Sequence, residues 1–163
     1  MTKELLSDVA RSAHDFIRRQ KSLQIATANS TGLPLASYAP FYRDKDGCFY
    51  ILVSDLSTHT ANLLNGKANI LILEDESECR QIYARTRLNF PCSVFAIERQ
   101  SKQYNELINH LHNCHGDIIS TISALSDFHL LQLIPDEGVY VRGFGQAYTI
   151  DSTLTTVVPI IPN

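Results

Sequence analysis

Length, composition and charge narrow the class of protein. The chain has 163 residues, of which 44% are hydrophobic and 19% charged. These are globular proportions, and the length suffices for a proper core, so we predict a single domain over residues 1–163. A net charge of −3 argues against a dedicated nucleic-acid binder, because such a protein normally carries a basic stripe.

Membrane and export signals are missing from the sequence. No apolar run approaches the roughly 18 residues that a membrane span needs, and residues 1–4 lack the layout of a signal peptide. We therefore expect a soluble cytoplasmic protein with no membrane partner. The four cysteines form no C-x-x-C pair, which is typical of reduced thiols in such a protein. They are Cys48, Cys79, Cys92 and Cys114.

The first predicted element is an amphipathic helix over about residues 3–20. Its apolar residues recur at three- and four-residue steps with charges between them. Arg18, Arg19 and Lys21 gather at its C-terminal end, where cations favour the helix dipole. A contact with an anion is the alternative role for this basic cluster.

Strand-like segments follow, and they predict an antiparallel sheet. Residues 22–28 and 35–42 flank a turn at 29–32, and residues 44–47 turn the chain into a third strand at 48–53. Two hairpins in succession favour a meander over a βαβ arrangement. Residues 67–73 form a further predicted strand.

A short helix interrupts the strands at about residues 58–64. Asp55 or Ser57 can cap it. The start of this helix is rich in hydroxyls, and its free N–H groups favour an anion, so it is a candidate phosphate site. The alternative is that these residues only cap the helix.

Residues 84–98 form the longest predicted strand, bent or bulged at Pro91. Arg85 and Arg87 fall on one face of it. Two adjacent guanidiniums can clamp a phosphate or a propionate. The alternative is a salt bridge to the acidic turn that begins at Glu74.

Two helices are predicted next, over residues 101–114 and 118–125. His110, His112, Cys114 and His115 crowd the end of the first. Their spacing points them to different sides of the helix, whereas a metal site needs converging ligands. We therefore predict no metal site there.

Residues 127–150 read as a β-hairpin with its turn at residues 135–138. The return strand carries Gly143 and Gly145, which would share one face of a pleated strand. Glycine weakens a strand, so a flat cofactor or a partner subunit is predicted to approach the backbone there; a bulge or a barrel corner is the alternative.

Several stretches together carry a family resemblance. The most specific is the ungapped run at residues 141–148, preceded by Asp127-Phe128 and by Gly138. Residues 37–41, Ala84-Arg85, Arg87-Leu88 and Phe90 also contribute, as do His59, Asn62-Leu63 and residues 74–76. Over about residues 23–148 the chain resembles the HugZ/HutZ-type heme-utilisation proteins, which belong to the split-barrel group related to pyridoxine 5'-phosphate oxidase.

This resemblance implies a mainly β fold, an antiparallel split β-barrel with peripheral helices. The N-terminal helix would span about residues 3–20, the barrel about 22–150 and a short C-terminal tail 151–163. Such proteins are homodimers with cofactor pockets at the subunit interface, so a homodimer is implied here as well.

The resemblance also assigns candidate contacts for a planar cofactor, heme or FMN. In flavin-binding relatives the phosphate is gripped at positions that match Ser37, Tyr38, Ser54, Thr58 and His59. The relatives often carry Arg-Lys where this chain has Thr58-His59, which gives less charge for a flavin phosphate.

In heme-degrading relatives an aspartate matching Asp127 orients the histidine that ligates iron. That histidine lies beyond the strand that ends here near Tyr148, and residues 149–163 contain none. Arg85, Arg87 or Arg142 would pair with heme propionates, beside Gly143 and Gly145.

Three hypotheses follow: a heme-binding or heme-degrading protein, an FMN-dependent oxidoreductase, and a non-catalytic cofactor-binding module.

Overall fold

The computed structural model describes residues 3–161, which form four helices, one short 3-10 helix and ten strands. The helices are α1 (Lys3–Arg19), α2 (Thr58–Leu63), α3 (Lys102–His115) and α4 (Ile118–Ser123), and the 3-10 helix is Ile82–Ala84. The first five strands are β1 (Ser22–Ala28), β2 (Pro34–Pro40), β3 (Tyr42–Arg43), β4 (Phe49–Ser54) and β5 (Lys67–Leu73). The others are β6 (Arg87–Ala96), β7 (Phe128–Pro135), β8 (Gly138–Gly143), β9 (Gln146–Ile150) and β10 (Val157–Pro159).

All strand pairs are antiparallel, as predicted. The main path of the sheet runs β10-β9-β8-β6-β5-β1-β2, and a branch leads from β6 through β7 and β4 to β3. The sheet curls into a half-barrel, and the helices pack around it. None of the helices in residues 3–161 is long and apolar enough to cross a membrane.

Alternating burial explains which strand faces form the core. Strand β1 buries every second residue, including Leu23 and Ile25, so one face lies inside the barrel and the other outside. Strand β4 is buried on both faces: Ile51 belongs to the barrel core, whereas Leu52 packs in a second cluster with residues of α3 and α4. Strand β4 therefore separates the barrel core from the second cluster and contributes side chains to both.

The predicted hairpin over residues 127–150 is wrong in its pairing. Strands β7 and β8 do not pair with each other; both lie along β6, with Val141 opposite Arg87 and Leu131 opposite Ala96. The turn-like residues 135–138 form a kink between two nearly collinear strands. A hydrogen bond from the Asp136 amide to the Pro91 carbonyl, at 2.9 Å, holds this kink against β6. Strand β6 is also shorter than predicted, since it spans only Arg87–Ala96. Arg85 follows the 3-10 helix and precedes the strand, so the predicted placement of Arg85 and Arg87 on one strand face is wrong.

The expected placement of Gly143 and Gly145 on one strand face is also wrong. The hairpin in this region joins β8 to β9, and its turn contains Phe144 and Gly145. Gly145 has a φ of +70°, a backbone conformation that favours glycine. The turn conformation therefore explains Gly145 without a ligand.

Candidate cofactor-binding site

The barrel has a gap between β2 and β4. Strand β2 pairs only with β1 among the described strands, so its other edge is free. Strand β4 pairs with β7 along its length but with β3 only at Phe49 and Tyr50. The two strands lie close together without pairing, and the opening between them is available to a ligand.

A groove of about 490 Å³ occupies this gap, which we call the β2–β4 groove. The volume lies within the usual range of ligand pockets, roughly 300–1,000 Å³. Six lining residues are apolar: Leu35, Ala39, Pro40, Leu52, Val53 and Phe128. The other six carry hydroxyls or an imidazole: Ser37, Tyr38, Ser54, Ser57, Thr58 and His59. This composition suits a flat apolar ligand with a few polar groups at its edge.

Helix α2 brings Thr58 and His59 to the groove. The Asn62 amide donates to the Thr27 hydroxyl at 3.1 Å, which ties the helix to β1. The Thr60 hydroxyl donates to the Ser54 carbonyl at 2.6 Å, which ties the helix to the end of β4. Ser57 precedes the helix, but its side chain makes no capping hydrogen bond.

His59 is the imidazole of the groove. It is buried and has no hydrogen-bond partner within residues 3–161. Burial lowers its pKa, so the ring is neutral at pH 7 and keeps a lone pair on one nitrogen. A neutral, unpartnered imidazole can bind a metal-containing ligand or a polar ligand group.

Asp127 is joined to the groove through Ser54. The Ser54 hydroxyl donates to Asp127 Oδ2 at 2.6 Å, and the Asp55 amide donates to the Asp127 carbonyl at 2.8 Å. Next to this pair, His129 Nε2 lies 2.7 Å from Asp55 Oδ1. These contacts hold the end of β4 and the start of β7 together at the groove.

Arg85 and Arg87 lie outside the lining of the groove. The Arg85 guanidinium donates to the Glu74 carbonyl and lies 3.1 Å from Glu76 Oε1. Arg87 donates to the Arg85 carbonyl at 3.0 Å. The predicted alternative of a salt bridge to the acidic turn is therefore observed for Arg85, and the shared guanidinium clamp is not formed in the described structure.

Arg142, Gly143 and Gly145 also lie outside the groove lining. Arg142 borders a separate polar depression on α1 with Arg19 and Asp15. Contacts of these three residues with a cofactor remain predictions.

The histidines near the end of α3 point in different directions, as their spacing predicts, and each contacts a different partner. His112 pairs with Asp117 at 3.1 Å, His115 Nε2 lies 2.9 Å from the Phe41 carbonyl, and His110 stacks on Tyr42 with a centroid distance of 4.7 Å. No group of three candidate metal ligands meets anywhere in residues 3–161.

Sequence reasoning missed most of the apolar lining of the groove. Leu35 and Leu52 look like ordinary strand residues, and Phe128 looks like part of a hairpin. The one available signal was the family match at residues 37–41, which includes Ser37, Tyr38, Ala39 and Pro40 of the lining.

Comparison with known proteins agrees with this architecture. The family model for pyridoxamine 5'-phosphate oxidase matches residues 10–142. "Heme oxygenase HutZ" of Vibrio cholerae is 39% identical over 137 residues, which cover 83% of this chain and 77% of that protein.

Two solved structures are similar along most of the chain. The structure of HutZ, described as a heme storage protein from Vibrio cholerae, superposes with a TM-score of 0.78 and 35% identity over 82% of this chain and 94% of that one. Campylobacter jejuni ChuZ gives a TM-score of 0.84 and 32% identity over 94% of this chain, which corresponds to 63% of the ChuZ chain. The predicted split-barrel fold is thereby confirmed. The chain belongs to the pyridoxamine 5'-phosphate oxidase family, as a protein of the HutZ type.

Proposed function

We propose that the protein binds heme in the β2–β4 groove, as a cytoplasmic homodimer whose second copy closes the open side of the groove. One observation carries the proposal: the buried, neutral imidazole of His59 faces a groove of about 490 Å³ that has an apolar wall. This groove lies in a chain that is 39% identical to a protein named heme oxygenase.

The chemistry of the groove fits heme. The apolar wall, which includes Leu52 and Phe128, would hold the macrocycle by excluding water. The neutral His59 imidazole would hold the iron, since imidazole is a common ligand of heme iron. Heme, when bound, supplies a redox-active iron.

The hydroxyls of the groove would hold the edge of the ligand. Ser54, Ser57 and Thr58 lie along the connection from β4 to α2 and can donate to a carboxylate. Asp127 would act through Ser54: by accepting the Ser54 proton at 2.6 Å, it fixes the rotamer of a side chain that lines the groove.

A second copy is proposed because apolar side chains at the groove are exposed. Tyr38 is 68% exposed and Leu56, next to Ser57, is 92% exposed. Exposed apolar side chains around a concave site mark an interaction surface. A partner subunit covering them would enclose the groove and could bring cationic side chains to the propionates.

Binding of FMN is the second candidate, and the hydroxyls along the β4–α2 connection favour it. However, no lysine or arginine lines the groove within residues 3–161, whereas a phosphate dianion is normally held by a cation. The heme propionates lack a cation in this protomer too, but the apolar wall and the neutral His59 suit heme better than FMN.

Visible spectra of the purified protein with added heme and with added FMN test the proposal. We expect a shifted Soret band with a Kd in or below the micromolar range and no saturable change with FMN. Tight FMN binding with a flat heme titration would favour an oxidoreductase instead. If neither heme nor FMN changes the spectrum, the proposal is contradicted, and the remaining hypothesis is a non-catalytic module.

A further inference from the structure

A second pocket lies where the last turns of α1 and α3 meet the strand β3. Its volume is about 340 Å³, and it shares no lining residue with the β2–β4 groove. Three cationic side chains line it, namely Arg18, Lys21 and Arg43, and no carboxylate does so in the part of the chain that the structure describes. The wall also contains Ile17, Phe41, Tyr42 and His115.

Arg43 is a largely desolvated cation without an ion-pair partner. No carboxylate lies within 4.0 Å of its guanidinium among residues 3–161. One terminal nitrogen donates to the Ser152 carbonyl at 2.6 Å, but Nε is buried and has no hydrogen-bond partner. The guanidinium also lies over the Phe49 ring, with Cζ 5.7 Å from the ring centroid. A cation–π contact offsets part of the cost of burial but supplies no negative charge, so an anion would still be stabilised here.

The nearest carboxylates are engaged elsewhere. Asp44 and Asp151 raise the pKa of Arg43, but less than burial lowers it. The Asp44 carboxylate accepts from the Asp46 and Cys48 amides and from the Tyr50 hydroxyl. The Asp151 carboxylate accepts from Thr153, Thr155 and Thr156. Both carboxylates therefore attract Arg43 from a distance, and neither lies within 4.0 Å of its guanidinium.

The helix ends do not balance the charge of the pocket either. The last turns of α1 and α3 line it, and each helix C-terminus carries roughly half a negative elementary charge. Two such ends offset about one of the three cations that line the pocket. The lining itself therefore keeps an excess of positive charge, which suits a phosphate monoester with about −1.5 to −2 charges at pH 7.

We propose that this pocket binds a small organic phosphate monoester. The Arg18 guanidinium presents planar donors that suit phosphate oxygens, and the remaining terminal N–H groups of Arg43 can add to them. The Lys21 ammonium adds a point charge. Ile17, Phe41 and Tyr42 form an apolar wall against which the organic part of the ester packs. The contact of His115 Nε2 with the Phe41 carbonyl at 2.9 Å holds this wall against the end of α3.

The pocket is independent of heme binding, and calorimetry with phenyl phosphate tests it directly. We expect saturable binding with a Kd on the order of 0.1 mM for a ligand of this size, and weaker binding of inorganic phosphate, which lacks the apolar part. The double variant Arg18→Met/Lys21→Met should bind phenyl phosphate at least about tenfold more weakly. Both residues are exposed, so the variant should remain folded.

Arg19→Met is the matched control. Arg19 also lies in the last turn of α1 but borders the depression that contains Arg142, so this variant lowers the net charge without touching the pocket. It should bind phenyl phosphate as the wild type does. Absence of saturable binding, equal weakening by Arg19→Met, or inorganic phosphate binding as tightly as the ester would each overturn the proposal. Amide chemical shifts at Lys21, Phe41 and His115 that move with the ligand would support it.

Discussion

The backbone of Gly138 passes directly against the ring of Phe90. A Cβ at residue 138 would lie 2.6 Å from Phe90 Cε1, and it would also collide with the Asn89 carbonyl oxygen. Because Asn89 and Phe90 belong to β6 and Phe90 is buried in the barrel core, neither can move away cheaply. Gly138 thus allows the chain to pass from β7 to β8 along β6.

We predict that Gly138→Ala lowers the free energy of unfolding by about 2 kcal/mol or more, as overpacking in a rigid core does. Gly143→Ala is the control, since nothing but the Gln146 amide comes within 4.0 Å of a Cβ there and Gly143 has no positive φ. It should change stability by less than about 1 kcal/mol. Urea denaturation measures both, and equal effects of the two variants would refute this account of Gly138.

A second prediction concerns the hydrogen bond from Ser54 to Asp127. Replacing Asp127 by Ala removes a charge-assisted acceptor from a partly buried hydroxyl, so we expect a loss of about 1–2 kcal/mol of stability. Asp46→Ala is the control, because no hydrogen bond to the Asp46 carboxylate is present among residues 3–161. If both variants unfold at the same urea concentration, the Ser54–Asp127 contact does not stabilise the end of β4.

The cysteines provide a third prediction, because their surroundings differ. All four are free thiols, with Cys114 exposed and Cys92 buried. Burial raises the pKa of Cys92 to about 12, so at pH 8 only about one thiol in ten thousand is ionised there. We expect a thiol reagent to modify Cys114 in the native protein and Cys92 only after denaturant is added. Mass spectrometry of the labelled peptides reads out the order, and early labelling of Cys92 would contradict the buried position.

The buried His59 predicts a dependence of stability on pH. Burial lowers its pKa below the usual value near 6.5, so the unfolded chain takes up a proton that the folded chain resists. Stability should therefore be complete above about pH 6.5 and fall as the pH drops below that value. His14, whose pKa is also lowered by burial, contributes in the same direction.

The variant His59→Asn removes one of these two contributions. The loss of unfolding free energy between pH 7.5 and pH 5.5 should be smaller in His59→Asn than in the wild type. A titration of the His59 ring by NMR should give a midpoint below 6.5. A midpoint above 6.5 would mean that the ring is solvated or paired with an acid.

The local elements could be predicted from the sequence because their signals are local. The apolar spacing of α1 and the turn residues between β1 and β2 depend on neighbours only a few residues away. The pairing of β7 and β8 could not be predicted in the same way. Residues 135–138 have the composition of a turn, but pairing with β6, some 40 residues away in sequence, decides that the chain continues forward.

The candidate site was predictable only where residues matched a known family. Ser37, Tyr38, Ser54, Thr58 and His59 converge because β2, β4 and α2 border one gap, and that gap exists only in the folded sheet. For Arg85 the sequence offered two partners, and the acidic turn that begins at Glu74 holds it. Arg43 gave no signal in the sequence, since its burial and its lack of a carboxylate partner are tertiary properties.

The central claim is that heme occupies the β2–β4 groove, and a heme titration of a groove-filling variant tests it most directly. Ser37→Trp places a large side chain in the groove, whereas Asn109→Trp places the same side chain on the exposed surface of α3. We predict that Ser37→Trp raises the Kd for heme at least about tenfold, since a filled pocket loses the apolar contact with the ligand, and that Asn109→Trp binds heme as the wild type does. Unchanged heme affinity in a folded Ser37→Trp variant would contradict the account.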